Sequence, residues 1–205
     1  MTTPSLADPT LPHPATPAAK PVRHLLPMLA TGLLIVIMMI VLAAMGRLWW
    51  CACGEWFLWT SQIGGKHNSQ HLGDPYIFSH LLHGVILFWL IGWNLERHRW
   101  PGGLVAATIL ETGWEIFENT PYVINRYREG TAAIGYTGDT IANSTVDVLA
   151  CVAGYFLARR IGFWWSVAVF FVLEIGCALW VKDNLSLNVL MLLYPLDAVK
   201  QWQSG

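Results

Sequence analysis

An apolar stretch without a single charge, from about Leu25 to Met45, leaves few choices for the fold. A helix of about 20 such residues can cross the ~30 Å hydrocarbon core of a bilayer. Lys20 and Arg23 precede the stretch, so a secretory signal peptide is the alternative. A signal peptide has only about 7–15 apolar residues, and more apolar stretches follow here, so we expect a retained transmembrane helix.

Four more apolar stretches approach the length of a membrane span. They cover about 78–95, 101–121, 138–158 and 163–181, and a shorter apolar segment, 185–194, follows them. Charged residues form only 12% of the chain, whereas soluble domains carry about 25%. We therefore predict an all-α integral membrane protein, a bundle of about five transmembrane helices with a short apolar C-terminal segment. Residues 25–205 would form this single domain, after a disordered tail, 1–24, rich in Pro, Thr and Ala.

The charged residues of the chain limit its possible binding partners and suggest its orientation in the membrane. The formal net charge of −1 gives no reason to expect nucleic acid, which leaves the lipid bilayer as the predicted partner. Basic residues divide equally between the two predicted sides, so their count does not decide the orientation. The pairs Arg97/Arg99 and Arg159/Arg160 adjoin helix ends on one side. We predict that this side is cytoplasmic, with the N-terminus inside and the C-terminus outside.

Polar residues in three of the predicted spans fall at similar depths. Because a helix rises about 1.5 Å per residue, they lie within about two turns of the outer face. They are His80, His83, Glu115, Glu118, Asp139 and Asn143. An isolated ionisable group in a span costs at least about 2.5 kcal/mol, so such groups normally face the bundle interior and each other. The sequence predicts that these residues share one polar site near the outer face.

Three more carboxylates, Glu111, Asp147 and Glu174, are placed near the bilayer midplane by the same count. Burial and neighbouring like charges both favour the protonated form of a carboxyl group. We expect that the three are not all ionised at neutral pH, unless a metal ion or an arginine reaches them. Midplane carboxylates are typical of proton or small-solute transport proteins, which makes transport an alternative function.

The outer cluster permits three interpretations. His80, His83, Glu115 and Glu118 are ligand types that hold a divalent metal ion. They do not reproduce the Glu-x-x-His pairs of bundle di-metal centres, and a hydrogen-bonded structural network between helices is the plainest reading. Arg126 and Arg128, in a predicted polar loop, are candidates for binding an anion or a lipid head group, or for anchoring the chain at the interface.

The four cysteines give weaker signals. Cys51 and Cys53 could bind metal or form a strained disulfide. Two cysteines alone make a poor metal site, so unpaired thiols or a local crosslink are favoured. Cys151 and Cys177 lie in apolar helices and are predicted to be core residues.

Several short motifs resemble one family of bacterial inner-membrane proteins, catalogued as a domain of unknown function. They are Cys51-Ala-Cys53-Gly54, Ser69-Gln70-His71-Leu72, Ser79-His80-Leu81-Leu82-His83-Gly84, Trp114-Glu115-Ile116-Phe117-Glu118-Asn119, Arg126-Tyr127-Arg128, Tyr136-Thr137-Gly138-Asp139, Asn143-Ser144 and Asp183-Asn184-Leu185. The resemblance covers about 25–205, departs at Asn125, where the family usually has Asp, and implies a bacterial cell-membrane location without an activity. A distant likeness to VanZ-like proteins rests on the Asp/Asn pattern of the fourth span.

The function predicted from sequence is therefore a multi-pass protein of the bacterial inner membrane with a His/Glu/Asp site near its outer face. That site would take a divalent metal ion, an anion or a lipid head group. In an enzyme, a histidine or carboxylate there would act as general base. Transport through the midplane carboxylates and a non-catalytic structural role are the alternatives, and the residues leave all three classes open.

Overall fold

A computed structural model describes residues 22–61, 63, 65–98, 102–131 and 135–205. The described part is helical, and its only strand-like feature is an isolated bridge between Trp59 and Gly73. The α-helices are α1 Val22–Ala44, α2 Ile77–Leu87, α3 Trp93–Arg97, α4 Gly103–Glu118, α5 Pro121–Gly130, α6 Ile141–Ile161, α7 Phe163–Val181, α8 Leu185–Leu193 and α9 Asp197–Ser204. A π-helical segment, Phe88–Gly92, joins α2 to α3.

Four helical stretches among the described residues are long and apolar enough to cross a membrane. They are Leu25–Ala44, Ile77–Arg97, Ile141–Ile161 and Phe163–Val181. Large apolar side chains on α1 and α7, such as Leu26, Ile40, Trp164 and Leu179, are more than half exposed. A helix whose outward-facing side chains are apolar is more stable in lipid than in water. The predicted all-α membrane fold is confirmed.

The third predicted span, 101–121, differs most from its prediction. Its helix, α4, has 16 residues and ends at Glu118, a length of about 24 Å that does not cover a whole hydrocarbon core. Pro121 is the first residue of a separate helix, α5. A backbone nitrogen at this position has no hydrogen-bond partner within the helix, so a proline is tolerated there. Arg126 and Arg128 therefore lie on a helix and not in the predicted loop.

Capping residues shift two other boundaries. The fourth span begins at Ile141 instead of 138 because the Thr140 side chain accepts a hydrogen bond from the backbone N–H of Asn143. Asn184 caps α8 in the same way through the N–H of Leu187, so the short apolar segment is a helix. Residues 1–21 of the predicted tail lie outside the described residues, and α1 already begins at Val22. That 25–205 forms one domain stays a prediction.

Close approach of α2 to α6 organises the bundle. A Cβ on Gly84 would overlap the carbonyl oxygen of Cys151, and one on Gly154 would overlap that of Leu81. Small residues let helix backbones touch in this way. Beyond Gly84, away from the start of α2, an apolar cluster fills the space between α2, α4 and α6. It contains Val85, Phe88, Leu104, Ala107, Tyr155 and Ala158.

Candidate functional site

His80 is the centre of the polar cluster. It lies on the first turn of α2 and is buried. Its Nδ1 is 2.7 Å from Glu111 Oε1 and 3.2 Å from Glu115 Oε1. On the other side of the ring, Nε2 is 4.0 Å from Asp147 Oδ2. One imidazole from α2 therefore meets carboxylates from both α4 and α6.

His83 lies one turn deeper on α2 and shares a carboxylate with His80. Its Nδ1 is 3.1 Å from Glu111 Oε2 and 3.2 Å from Glu111 Oε1. The structure thus brings Glu111 into the histidine cluster, although the sequence count assigns it to a separate, deeper layer. The count fails because α4 ends at Glu118 rather than at residue 121, which raises Glu111 toward the outer face by about 4–5 Å.

Glu115 and Asp147 bring oxygen atoms into this site that have no hydrogen-bond partner. Both carboxylate oxygens of Glu115 are buried without one, and so is Asp147 Oδ1. Glu115 Oε1 is close to His80 Nδ1, but the geometry is not that of a hydrogen bond. Buried polar atoms are nearly always satisfied in folded proteins, so these oxygens need a partner such as a proton or a cation.

Asp139, by contrast, is held in a complete network above the histidines. Its carboxylate accepts hydrogen bonds from Tyr136 Oη at 2.9 Å and Asn119 Nδ2 at 3.0 Å. The backbone N–H of Asp139 donates to Asn119 Oδ1 at 2.8 Å. Burial raises the pKa of Asp139, and the hydrogen bonds from Tyr136 and Asn119 oppose that effect. Asn119 and Tyr136 are positioning residues that stand in the sequence motifs but not among the predicted site residues.

A cavity of about 260 Å³ opens onto these groups. Its polar lining includes His80, His83, Glu111, Glu118, Asp139 and Asp147. Apolar side chains form another part of the wall, among them Ile86, Leu87, Leu110, Trp114 and Val189. Neither Lys nor Arg occurs among the described lining residues. The cavity therefore combines an acidic lining with apolar side chains.

Two overlapping groups of these residues have the spacing of metal ligands. His80, His83 and Glu111 form one, and His80, Glu115 and Glu118 form the other, with their ligand atoms within 4.8 Å of one another. Every member of the predicted metal set is present, and Glu111 joins it. Imidazole with carboxylate suits Zn²⁺, Mn²⁺ and Fe²⁺. That this site holds a metal stays a prediction.

The remaining candidate residues lie elsewhere or serve the backbone. Glu174 accepts hydrogen bonds from the N–H groups of Leu185 and Ser186 at the start of α8, at 2.9 and 3.0 Å. It is not among the residues lining the cavity. Asn143 is buried, and its Nδ2 has no partner.

Arg126 and Arg128 also point away from the cavity. Arg126 donates to the carbonyl oxygens of Leu192 and Leu193 at the end of α8, at 2.8 and 3.3 Å. Arg128 donates to the carbonyl oxygen of Tyr136. A cation at a helix C-terminus interacts favourably with the helix dipole, so Arg126 stabilises the end of α8. Binding of an anion or lipid head group by this pair, and anchoring at the interface, stay predictions.

Asp183, a lining residue that stands in a sequence motif but not among the predicted site residues, gives a pH prediction. It accepts a hydrogen bond from Tyr76 Oη at 3.0 Å, and burial raises its pKa from 3.8 to about 6. Because the pKa is higher in the folded state, this group's contribution is greatest below pH 4 and is lost as the pH rises through 6. We expect Asp183→Asn to flatten the fall in unfolding free energy between pH 4 and pH 7 by up to about 3 kcal/mol.

Unfolding of detergent-solubilised protein at several pH values measures this effect. Asp197→Asn, at an exposed position on α9, is the control. A pH profile of Asp183→Asn that superimposes on the wild type would show that Asp183 titrates normally.

Comparison with known proteins places the chain in a family. A family model described as "Protein of unknown function (DUF2585)" matches residues 42–205, which include all the site residues above. A UPF0314 protein of Rhizobium meliloti (strain 1021) is 48% identical over 172 residues, covering 83% of this chain and 87% of that protein. One of Agrobacterium fabrum (strain C58 / ATCC 33970) is 40% identical over 177 residues, covering 86% and 88%. One of Paracoccus denitrificans (strain Pd 1222) is 40% identical over 186 residues, covering 89% and 95%.

No solved structure is significantly similar to the chain. The distant likeness to VanZ-like proteins stays a prediction. The extent of the family match and the identity to these bacterial relatives make this chain a member of the DUF2585 family, whose curated relatives carry the name UPF0314.

Proposed function

We propose that this chain is a multi-pass protein of the bacterial inner membrane that binds a divalent metal ion in the cavity near its outer face. Four helices long enough to cross a membrane support the location, as do relatives from bacteria. The starts of α2 and α6 and the ends of α1, α4 and α7 lie at the cavity end of the bundle. The metal would sit one to two turns below that end.

An imbalance of charge carries the proposal. Five carboxylates lie around two histidines, and the lining residues that the structure describes include no Lys or Arg. The five are Glu111, Glu115, Glu118, Asp139 and Asp147. Unpaired charges of one sign are costly in a low-dielectric interior, so a bound cation or several protons must compensate them. Glu115 and Asp147, whose unsatisfied oxygens are buried, both have a carboxylate oxygen within 4.0 Å of the His80 ring, one on the Nδ1 side and the other on the Nε2 side.

His80 would be the central ligand, since it belongs both to the group with His83 and Glu111 and to the group with Glu115 and Glu118. A divalent ion held by such groups polarises a bound oxygen and lowers the pKa of a bound water. Asp139 lines the same cavity and is held by hydrogen bonds from Tyr136 and Asn119, so its carboxylate would be available for proton transfer to or from a bound ligand.

The shape of the cavity indicates what would bind beside the metal. Leu87, Leu110 and Val189 form an apolar part of the wall of the same cavity that the acidic residues line. A ligand pocket of this kind orients a mostly apolar molecule through a few polar groups. We infer an amphipathic ligand, with its polar group at the metal and its apolar part along the wall.

Transport through the bundle receives less support from the same geometry. The apolar cluster of Val85, Phe88 and Tyr155 and its neighbours fills the described bundle beyond His83. Glu174, which a relay across the midplane would need, is occupied by the backbone of α8. The cavity is therefore closed toward the opposite face in this conformation, as suits a binding or catalytic site.

Titration of metal-stripped protein with Mn²⁺, followed by electron paramagnetic resonance, tests the proposal. Wild-type protein should bind Mn²⁺ stoichiometrically, and His80→Ala should weaken binding by at least about tenfold, because truncation removes a direct ligand. His98→Ala replaces an exposed histidine beyond α3 and should bind like the wild type. Wild-type protein that fails to bind Mn²⁺, Zn²⁺ or Fe²⁺ at this site overturns the proposal.

The orientation gives a separate prediction. Ser61 lies in the loop at the cavity end, and His98 lies after α3 at the other end, and both are exposed. With the cavity outside, Ser61→Cys should gain label from a membrane-impermeant thiol reagent in cells whose outer membrane alone is permeable. His98→Cys should gain label only after the inner membrane is broken. The opposite pattern would reverse the orientation and leave the metal site itself untouched.

A further inference from the structure

A second cluster of ligand side chains lies outside the helices, in the loop between α1 and α2. We propose that Cys51, Cys53, His67 and His71 bind one zinc ion. Their four ligand atoms lie within 4.8 Å of one another. Two thiolates with two imidazoles are a ligand set for tetrahedral Zn²⁺. The site shares no residue with the cavity cluster and does not depend on the function proposed for it.

Distances within the cluster fit a tetrahedron. His67 Nδ1 is 3.8 Å from both Cys51 Sγ and Cys53 Sγ, and 3.1 Å from His71 Nε2. Zinc bonds of about 2.3 Å to sulfur and 2.0–2.1 Å to nitrogen require ligand atoms about 3.3–3.8 Å apart. The two sulfurs are closer, at 2.6 Å, and a small rotation of the exposed Cys53 side chain would separate them to a zinc-binding distance.

The surroundings resemble those of a metal site rather than those of two free thiols. The backbone N–H groups of Cys53 and Glu55 point at the sulfurs of Cys51 and Cys53, each at 3.4 Å. Such N–H groups stabilise thiolate charge. Glu55 Oε2 is 3.8 Å from His67 Nε2, the nitrogen that His67 would leave free. A carboxylate behind a ligating histidine is a common second layer around zinc.

His71 supplies a further observation, since it is fully buried and has a ring nitrogen, Nδ1, without a hydrogen-bond partner. Its other nitrogen points at the cluster. Aromatic rings cover both histidines: Phe57 lies 5.0 Å from His71 and 5.8 Å from His67, and Trp50 lies 5.9 Å from His71. A dry, partly enclosed pocket of this kind favours a closed structural zinc site.

The site also has a structural task. Among the described residues of the long loop 45–76 there is no helix or strand, and an isolated bridge is the only regular pairing. Loops of this length without structure are uncommon in compact proteins. Zinc binding would supply the stability that the loop lacks, because binding free energy at such sites is folding free energy.

What the zinc would hold in place is the rim of the cavity. Asn68 and Ser69, between the two histidines, line the cavity. The carbonyl oxygen of Ser69 accepts from the N–H of Thr140 at 3.0 Å, and Gln70 Nε2 donates to the carbonyl of Gly138 at 2.7 Å. The zinc site therefore clamps 68–70 against the segment that carries Asp139.

Cobalt substitution of the reduced, metal-stripped full-length protein tests the proposal. Tetrahedral Co²⁺ bound to thiolates gives intense sulfur-to-cobalt charge-transfer absorption, which a site of histidines and carboxylates cannot give. We expect this absorption at about one equivalent of Co²⁺, displaced by Zn²⁺. It should be lost in Cys51→Ser/Cys53→Ser and strongly reduced in His71→Ala.

Two controls separate this site from the other thiols and from the cavity. Cys151→Ala/Cys177→Ala removes the two helical cysteines and should keep the absorption. His80→Ala/Glu115→Gln disables the cavity site and should also keep the thiolate-to-cobalt absorption. The two proposals can therefore fail independently. X-ray absorption of the zinc-loaded wild type should show two sulfur and two nitrogen neighbours, a result that does not require any variant to fold.

Three results would overturn the zinc site. The first is reduced wild-type protein that gives no thiolate absorption with Co²⁺. The second is an X-ray absorption spectrum of bound zinc without sulfur neighbours. The third is natively purified protein in which Cys51 and Cys53 form a disulfide that persists with zinc present, as judged by thiol counting after unfolding.

Discussion

Gly84→Ala should destabilise the protein by about 3 kcal/mol. The added methyl group would overlap the carbonyl oxygen of Cys151 and lie 2.7 Å from the backbone nitrogen of Tyr155. Backbone atoms of a packed helix cannot rotate away as a side chain can, so α2 and α6 would have to separate. An alanine in a helix is otherwise favourable by up to about 1 kcal/mol relative to glycine, which makes the sign of the effect informative.

Unfolding of detergent-solubilised protein by a denaturing surfactant measures this change. Gly113→Ala and Gly176→Ala are matched controls, since these helical glycines have no atom within 4 Å of the added methyl group. Both should be neutral or slightly stabilising. If Gly84→Ala were as stable as these controls, α2 and α6 would not be in backbone contact.

The same substitution should disturb the metal site, because Gly84 is one helical turn from His80. Contact between α2 and α6 holds the His80 ring near Asp147, with Nε2 and Oδ2 4.0 Å apart. Moving the helices apart would lengthen this distance and weaken Mn²⁺ binding along with stability. The packing of two glycines and the chemistry of the cavity are therefore linked.

Glu115→Gln should remove the stabilisation that metal gives to the folded protein. Mn²⁺ at 100 times its dissociation constant stabilises a binding protein by about 2.7 kcal/mol. Glu115 is fully buried, and both its oxygens lack hydrogen-bond partners. Without metal, Glu115→Gln should be as stable as the wild type or more so, because an uncompensated acidic group is gone. With Mn²⁺, wild type should gain stability and the variant should not.

Thermal unfolding with and without Mn²⁺ supplies the four values needed. Glu129→Gln, at an exposed position on α5, is the matched control and should show the full metal-dependent gain. A gain in Glu115→Gln equal to that of the wild type would remove Glu115 from the ligand set. A loss of stability in Glu115→Gln without metal would instead favour the structural-network interpretation of the cluster.

The membrane helices were predictable because lipid requires a long apolar run, and that requirement is visible in sequence. The fifth span, 163–181, agrees with α7 at both ends. Boundaries moved where a single side chain decides them, as Thr140 does for α6. The predicted third span is longer than α4 because a second helix, α5, follows α4 almost directly. Only the capping residues between the two helices mark where one ends and the other begins.

The sequence identifies most of the histidines and carboxylates that line the cavity, but it predicts less well how far each lies below the outer face. Counting residues from a helix end works only if that end is known, and the early end of α4 moved Glu111 to His80 and His83. Glu174 could not be assigned from depth, since its partners are backbone N–H groups of a helix that follows it. The contacts of Arg126 likewise depend on where α8 ends.

The loop cluster was the part of the molecule least predictable from sequence. Cys51 and Cys53 alone make a poor metal site, and the two histidines that complete it follow 14 to 20 positions later. One signal was present, because His67 and His71 are four residues apart, a spacing that suits two ligands to one ion. The sequence does not predict the path of the loop between Cys53 and His67, and only that path brings the cysteine pair and the histidine pair together.

The nitrogen coupling of bound Mn²⁺ tests the central claim most directly. Pulsed electron paramagnetic resonance detects imidazole nitrogens bonded to the ion, and Mn²⁺ prefers this site to the thiolates of the loop. In a Cys51→Ser/Cys53→Ser background, we predict coupling to the nitrogens of His80 and His83, reduced in His83→Ala and lost in His80→Ala. Bound Mn²⁺ without any nitrogen coupling, or coupling that persists in His80→Ala, would contradict the account.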